Sequence, residues 1–283
     1  MRNNCIFISA NKDFFEILIL CLKSIIQNYP NHPLVYICYT DFSNLEKEKI
    51  KRLINNVEFI NNSITDKETG PIMGHLSKLI DPKVFYARLL IWKLPLFSQY
   101  DAVLHLDADT LVLQDLSKLF QKKEFYIEKE CYNWEDSLFY NKHDSELLKL
   151  IISDWLIIPK SFQPWNAWIF LVPKKYLTKR VYNELIVTLY KYKPHIKRSD
   201  QSILNLRIIK KWIIINDEHQ YNVQHRLIMN QQLFEDISNY YIIHFNGVSS
   251  NIRLIFMKLF LFLYPFKGWL SLYRILYNSF SKD

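Results

Sequence analysis

The 283-residue chain is 49% hydrophobic and 23% charged, a globular composition that excludes a disordered protein and a short disulfide-held one. Its length fits one large domain, or one domain with an appendage, and allows a sizeable core. The formal net charge of +8 points to an anionic partner, and charge alone leaves nucleotide phosphates, anionic lipid and nucleic acid open.

Cys5 to Ala10 is an apolar run of strand length with no cleavage pattern after it, so a buried strand is expected here and not a secretory signal. Phe14, Leu18, Cys21, Leu22 and Ile25 recur at helical spacing, giving a helix that stops near Tyr29-Pro30. Leu34 to Tyr39 reads as a second strand. Ser43-Asn-Leu-Glu46 is a capping box that opens a second helix, running to about Ile54. Val57 to Ile60 gives a third strand. Alternation of strand and helix implies a doubly wound, mostly parallel sheet, whose ligands sit beyond the carboxyl ends of the strands. Asn11 and Asp13, just after the first strand, therefore fall in the expected crevice. Cys5, Cys21, Cys38 and Cys131 are scattered without CxxC spacing, which argues against a zinc site and for reduced thiols in a cytoplasmic compartment. The four glycines form no phosphate-binding loop.

Asn61 to Ile80 is polar and irregular. Asp81-Pro82 then starts a helix with Phe85, Leu89 and Leu90 as core candidates, and Arg88 among them needs a partner if it is buried. Val103-Leu-His-Leu-Asp-Ala-Asp-Thr110 follows as a buried strand ending in two carboxylates, Asp107 and Asp109. Side chains i and i+2 of an extended segment point the same way, so both acids can face one divalent ion with oxygen ligands. An Asp-x-Asp pair on its own fits a capping turn equally well.

Tyr132, Trp134, Trp155 and Trp165 lie among polar residues, a pattern shared by loop packing and by surfaces on which sugar rings stack. Asn166 to Val172 is another strand and Thr178 to Tyr190 a helix. Ser199 caps a helix through about Ile209, with Asp200 and Gln201 in its first turn. Ile213 to Ile215 and Tyr240 to His244 read as late strands, the second ending in His244-Phe-Asn-Gly247. From Ile252 the chain is basic and aromatic with no acid before Asp283, and Trp269, Leu272, Tyr273, Leu276 and Phe280 form an amphipathic stripe. No stretch there approaches the ~20 residues that span a bilayer, so a segment lying in an anionic membrane surface is expected, or else helices packed on the domain. The expected division is a domain over residues 1–250 and a tail over 251–283. Because the basic residues of the tail alternate with apolar ones and form no stacking platform, nucleic acid is not an expected partner.

The order of these segments resembles the retaining glycosyltransferases of family 8, the group of glycogenin and the bacterial lipopolysaccharide galactosyl- and glucosyltransferases. Phe85-Tyr-Ala-Arg-Leu-Leu-Ile91 and Leu104-His-Leu-Asp-Ala-Asp-Thr-Leu111 are similar to that family's Tyr-x-Arg-Leu helix and Leu-Asp-x-Asp strand. Asn166-Ala-Trp-Ile-Phe-Leu, Asp200-Gln-Ser-Ile-Leu-Asn205 and His244-Phe-Asn-Gly247 follow in family order. The resemblance covers roughly residues 5–250. It implies a single-domain GT-A fold of α/β type with a C-terminal helical tail, a UDP-sugar donor and a Mn2+ (or Mg2+) ion. By it, Asp107, Asp109 and His244 are metal ligands, and Asn11 and Asp13 lie near the nucleoside. Arg88, Asp107, Asn166 and Gly247 bind the donor, while Asp200 and Gln201 act on the transferring sugar. The implied acceptor is a saccharide or glycolipid, such as lipopolysaccharide, lipooligosaccharide or another surface glycan, reached from the inner face of a bacterial-like membrane through residues 252–283. Three departures stand out: Trp168 in place of a glycine, Ser249-Ser250-Asn251-Ile252 in place of Lys-Pro-Trp, and His105 where tyrosine is frequent. They keep open a degenerate transferase that binds sugar nucleotide or membrane without turnover. A metal-dependent nucleotidyltransferase is the other alternative.

Overall fold

In the computed structural model the described residues are 3–65, 68, 83–129, 138–141, 143–154, 165–196, 199–211, 222–224, 240–245 and 250–263. The first half alternates β1 (Asn4–Ala10), α1 (Phe15–Asn28), β2 (Leu34–Tyr39), α2 (Asn44–Leu53) and β3 (Val57–Asn61). A helical stretch follows, α3 (Lys83–Tyr86) and α4 (Leu90–Lys93) flanking a 3-10 turn at Ala87–Leu89. Then come β4 (Ala102–Asp107), β5 (Thr110–Val112), β6 (Tyr126–Lys129), α5 (Ser145–Ser153) and β7 (Trp165–Pro173). The described remainder is α6 (Lys179–Tyr192), α7 (Ser199–Lys211), β8 (Asn222–Gln224), β9 (Ile242–His244) and α8 (Ser250–Leu263).

A six-stranded sheet in the order β3-β2-β1-β4-β7-β6 is the spine of the molecule. β1 pairs in parallel with β2 and with β4, and β2 with β3, whereas β7 runs antiparallel to both β4 and β6. Being central, β1 is buried on both faces, which is why its sequence is continuously apolar instead of alternating. Its odd residues Cys5 and Phe7 enter a core shared with α3, α4 and α6. Ile6 and Ile8 enter the opposite core under α1 and α2. Burial of each such aliphatic or aromatic side chain contributes about 1.5–3 kcal/mol. Cys5, Cys21 and Cys38 are free and buried.

The capping box expected at α2 is present: the Ser43 hydroxyl accepts from Glu46 N at 3.3 Å, and Ser43 N donates to Glu46 Oε2 at 2.7 Å. Thr178 caps α6 with its side chain alone, which accepts from Val181 N. Asp81-Pro82, the run at 213–215 and most of the aromatic segment from Tyr132 lie outside the described residues.

A second, three-stranded sheet has the order β5-β9-β8. Its antiparallel β5–β9 pair sets Thr110 opposite His244, one residue along from Asp109. Under this small sheet α8 buries Phe256, Met257 and Phe260 against Ile17 and Leu20 of α1 and against Leu111, Ile243 and Phe245. Spacing of i, i+1 and i+4 puts those side chains on one helical face. The sequence boundary at 250/251 thus falls at the start of a helix whose inner face packs in this core. Ile255 and Phe262 on its outer face are exposed. The stripe from Trp269 onward lies outside the described residues, and no described helix is long and apolar enough to cross a membrane.

Candidate active site

Asp107 is the last residue of β4, at the carboxyl edge of the sheet, and pairs across the strands with Ser9 of β1. Ala108 and Asp109 form a turn before β5, so the two carboxylates converge through that turn and not through strand alternation. The turn is pinned on both sides: the Thr110 hydroxyl donates to Asp107 O at 2.8 Å, and Phe245 N donates to Asp109 O at 2.9 Å. The second bond carries β9 in with it. His244 Nε2 then stands 3.2 Å from Asp109 Oδ1 and 3.9 Å from Asp107 Oδ2. One donor atom from each of Asp107, Asp109 and His244 lies within 4.8 Å of the others.

The chemistry of this donor set fits a divalent cation. Two carboxylates and one imidazole leave positions for ligands from a substrate, and imidazole suits Mn2+ better than Mg2+. A ligating imidazole usually holds its ring by donating from its second nitrogen. His244 Nδ1 is buried with no hydrogen-bond partner among the described residues. Instead the ring lies flat on the Trp168 indole, 4.5 Å between centroids and 15° between planes. The indole that replaces the expected glycine thus packs against a potential metal ligand.

Around the acids is a buried network of charge. Arg88, 7% exposed, donates from Nη1 to the Ala167 carbonyl and from Nη2 to Asp107 Oδ1 at 3.1 Å. Its Nε lies 2.8 Å from Asp200 Oδ2, so one guanidinium joins the end of β4 to the first turn of α7. Burial disfavours that charge, but Asp107, Asp200 and Asp109 together outweigh it and raise the Arg88 pKa. Burial works against ionisation of Asp107 as well, and the Arg88 charge with the His105 hydrogen bond overcomes it, holding the carboxyl at about 2. Burial pushes Asp200 up to about 6, with Arg88 opposing. His105 is fully buried between Phe7 and Phe170, and that desolvation lowers its pKa to about 4. It is therefore neutral and donates from Nε2 to Asp107 Oδ1 at 3.1 Å. A second guanidinium comes from α8: Arg253 Nη1 is 2.9 Å from Asp109 Oδ2.

A sequence model for glycosyl transferase family 8 matches residues 5–249. The chain belongs to glycosyl transferase family 8. Solved structures share its fold at low identity. The galactosyltransferase LgtC, crystallised with donor and acceptor sugar analogues, is 16% identical over 86% of this chain and 87% of its own, with a TM-score of 0.62. The bifunctional glycosyltransferase WbbM is 18% identical over 88% of this chain and 46% of its own, TM-score 0.63. GlyE of Streptococcus pneumoniae is 16% identical over 99% of this chain and 64% of its own, TM-score 0.57. No curated protein sequence matches the chain. The family 8 enzyme is thus a glycosyltransferase of the GT-A type, with a mostly parallel sheet.

Of the residues singled out by sequence, Arg88, Asp107, Asp109, Asp200 and His244 come together in this family 8 site. Asn11 follows the end of β1, two residues beyond Ser9, which pairs with Asp107; it is 4% exposed, with its Oδ1 lacking a hydrogen-bond partner among the described residues. Asp13 is exposed in the 3-10 turn at Lys12–Phe14. Gln201 is part-exposed in the first turn of α7, and its carbonyl accepts from Asn205 Nδ2 at 2.8 Å. Asn166 lies in β7 opposite Glu128, its side chain outside the described part, as is Gly247 entirely. Sequence reasoning did not find the support given by Trp168 to His244 or by the Ala167 carbonyl to Arg88, since no local pattern marks either.

Proposed function

We propose that this family 8 protein is a metal-dependent retaining transferase that moves a hexose from a UDP-sugar to a saccharide acceptor, in the class of lipopolysaccharide, lipooligosaccharide or another surface glycan. The observation that carries the reading is Arg88 linking the Asp107–Asp109–His244 cluster to Asp200 within one buried network. A diphosphate-side group and a sugar-side group are thereby held at a fixed separation. Asp107, Asp109 and His244 would hold the cation, Mn2+ in preference to Mg2+, which supplies Lewis-acid compensation of the charge developing on the leaving diphosphate.

The protein's own groups supply the rest. Arg88 contributes a fixed positive charge in a site that water hardly reaches, where preorganised charge acts most strongly. Asn11, with a buried and unpaired amide oxygen, is suited to receive an N–H of the nucleoside. Asp200 accepts from sugar hydroxyls. Its ion pair with Arg88 makes it a poorer nucleophile than a free carboxylate, which favours front-face attack with the departing phosphate taking the acceptor proton. Gln201, on the same turn and part-exposed, is the neighbour for the oxocarbenium-like transition state. The basic, aromatic sequence of the tail is what supports an acceptor at an anionic membrane surface.

Thermal shift with UDP and a panel of UDP-sugars, with Mn2+ and with EDTA, tests the reading, followed by mass analysis of products with candidate acceptors. A stabilisation that EDTA abolishes is expected for UDP and for one donor. Absence of any metal-dependent shift sinks the proposal, and donor binding without product favours the degenerate transferase.

A further inference from the structure

Each acid of the cluster is already matched by a guanidinium. Arg88 holds Asp107 at 3.1 Å, and Arg253 holds Asp109 at 2.9 Å. The second pair crosses from α8 to the β4–β5 turn, and α8 is fixed there by Phe256, Met257 and Phe260 in the core. The Arg253 side chain also rests on Phe14, its guanidinium carbon 5.3 Å from the ring centroid. Phe14 N in turn donates to the Asn11 carbonyl at 3.0 Å. Arg253 therefore lies between Asp109 at one end and the Asn11–Phe14 segment at the other. A diphosphate joining a nucleoside near Asn11 to a cation at Asp109 must pass between the same two ends.

We infer that Arg253 is an electrostatic latch that makes cation and nucleoside diphosphate bind as a pair. The inference rests on the donor-site reading proposed above. A bare divalent cation enters a cluster whose two carboxylates are both neutralised, and it must compete with Arg253 for Asp109. Cation alone is bound weakly for that reason. When a diphosphate arrives with the cation, the guanidinium transfers from the carboxylate to phosphate oxygens, an exchange of one charge-assisted pair for another. The cost of opening the latch is then recovered only in the ternary complex. By linkage, each ligand raises the affinity for the other by the same factor.

Mn2+ binding is measured on the full chain by the loss of free-ion signal in electron paramagnetic resonance, without and with saturating UDP. UDP binding is measured by calorimetry with and without Mn2+. The coupling factor is the ratio of the two Mn2+ dissociation constants. Arg253→Gln, which keeps most of the stem over Phe14, is expected to bind Mn2+ alone more tightly and to lose about tenfold of the coupling. Arg253→Lys retains a cation that can change partners and should keep most of it. Far-UV circular dichroism and thermal unfolding identify a variant that has lost its fold. If Arg253→Gln is misfolded, Arg253→Lys decides: its coupling factor is expected to fall as salt is raised, and a factor that stays constant with salt overturns the latch. Lower stability with unchanged coupling in a folded Arg253→Gln makes the residue a tether for α8 and overturns the inference. No Mn2+–UDP complex in the unaltered chain overturns the donor reading itself, and with it this one.

Discussion

Trp168 lies parallel to His244, 4.5 Å away, and fills the place on β7 where a family 8 glycine was expected. The two rings come from different sheets, so the stack ties the metal-side edge of the large sheet to β9. It also stands in for the hydrogen bond that His244 Nδ1 lacks among the described residues. Trp168→Gly should cost about 3–5 kcal/mol, the range for emptying a buried aromatic site. It should also weaken Mn2+ binding in the presence of UDP by 10–100-fold, as loss of a ligand's outer support does. Trp168→Phe keeps a flat ring and should recover most of the affinity. Chemical unfolding in EDTA reads the first quantity and paramagnetic resonance the second. A glycine variant that binds Mn2+ as tightly as its parent shows that the stack does not hold the imidazole.

Arg88 offers a sharper energetic test, because it serves two buried acids at once. Arg88→Met leaves Asp107 and Asp200 without their common counter-charge, and breaking a buried pair in this way costs about 3–5 kcal/mol. Adding Asp200→Asn removes one of the stranded acids and should restore part of that loss, a coupling visible in a double-mutant cycle. Arg88→Lys cannot span two carboxylates and the Ala167 carbonyl with one compact ammonium, so it should rescue little. Turnover in Arg88→Met is expected to fall by about two to three orders of magnitude. Additive effects of the Arg88 and Asp200 changes count against the bridge.

Much of this architecture was legible from the chain, and the limits are physical. β1, β2, α2 and α6 carry their signals locally, as continuous apolar runs or as Ser43 and Thr178 caps, and the structure has them within a residue or two of expectation. Asp107 and Asp109 were legible as residue types, but the cause of their convergence was not. The turn at Ala108–Asp109 is set by β5 pairing with β9, a partner far along the chain. For the same reason nothing local showed that β7 runs antiparallel to β4, or that Arg253 reaches Asp109. Such contacts are selected by the assembled sheet and core, and a periodic pattern in one segment cannot encode them.

The Asp200 carboxyl, pushed up to about 6 by burial, gives a pH signature in the metal-free protein. A carboxyl whose pKa is higher folded than unfolded favours the folded state in its protonated form. Its contribution is therefore most favourable at low pH and declines as pH rises from the ordinary value of 3.8 through about 6. Other groups add slopes of their own, so the informative quantity is the difference between the parent and Asp200→Asn. Measured by denaturant unfolding in EDTA, the parent should lose stability relative to the variant across that window and run level with it above. A flat difference curve means that Asp200 is not desolvated as the structure has it.

α8 is described as far as Leu263, and that bound is where a truncation should be made. Removing residues 252–283 deletes Phe256, Met257 and Phe260, each worth about 1.5–3 kcal/mol of burial, together with the Arg253 pair to Asp109. That truncation should destabilise the domain and disturb the metal seat, so it says nothing clean about membranes. Ending the chain after Leu263 leaves the buried face of α8 whole and removes the sequence that carries Trp269, Leu272, Tyr273, Leu276 and Phe280. If that stripe anchors the enzyme at an anionic surface, the full chain should cosediment with vesicles containing phosphatidylglycerol and not with phosphatidylcholine alone. The chain ending at Leu263 should stay in the supernatant while binding UDP and Mn2+ like its parent. Salt should weaken the attachment of the full chain, since part of it is electrostatic. Equal cosedimentation of the two chains would move the anchor off the stripe. Among the described residues, the outer face of α8, where Ile255, Lys258 and Phe262 are exposed, is then the surface to test next.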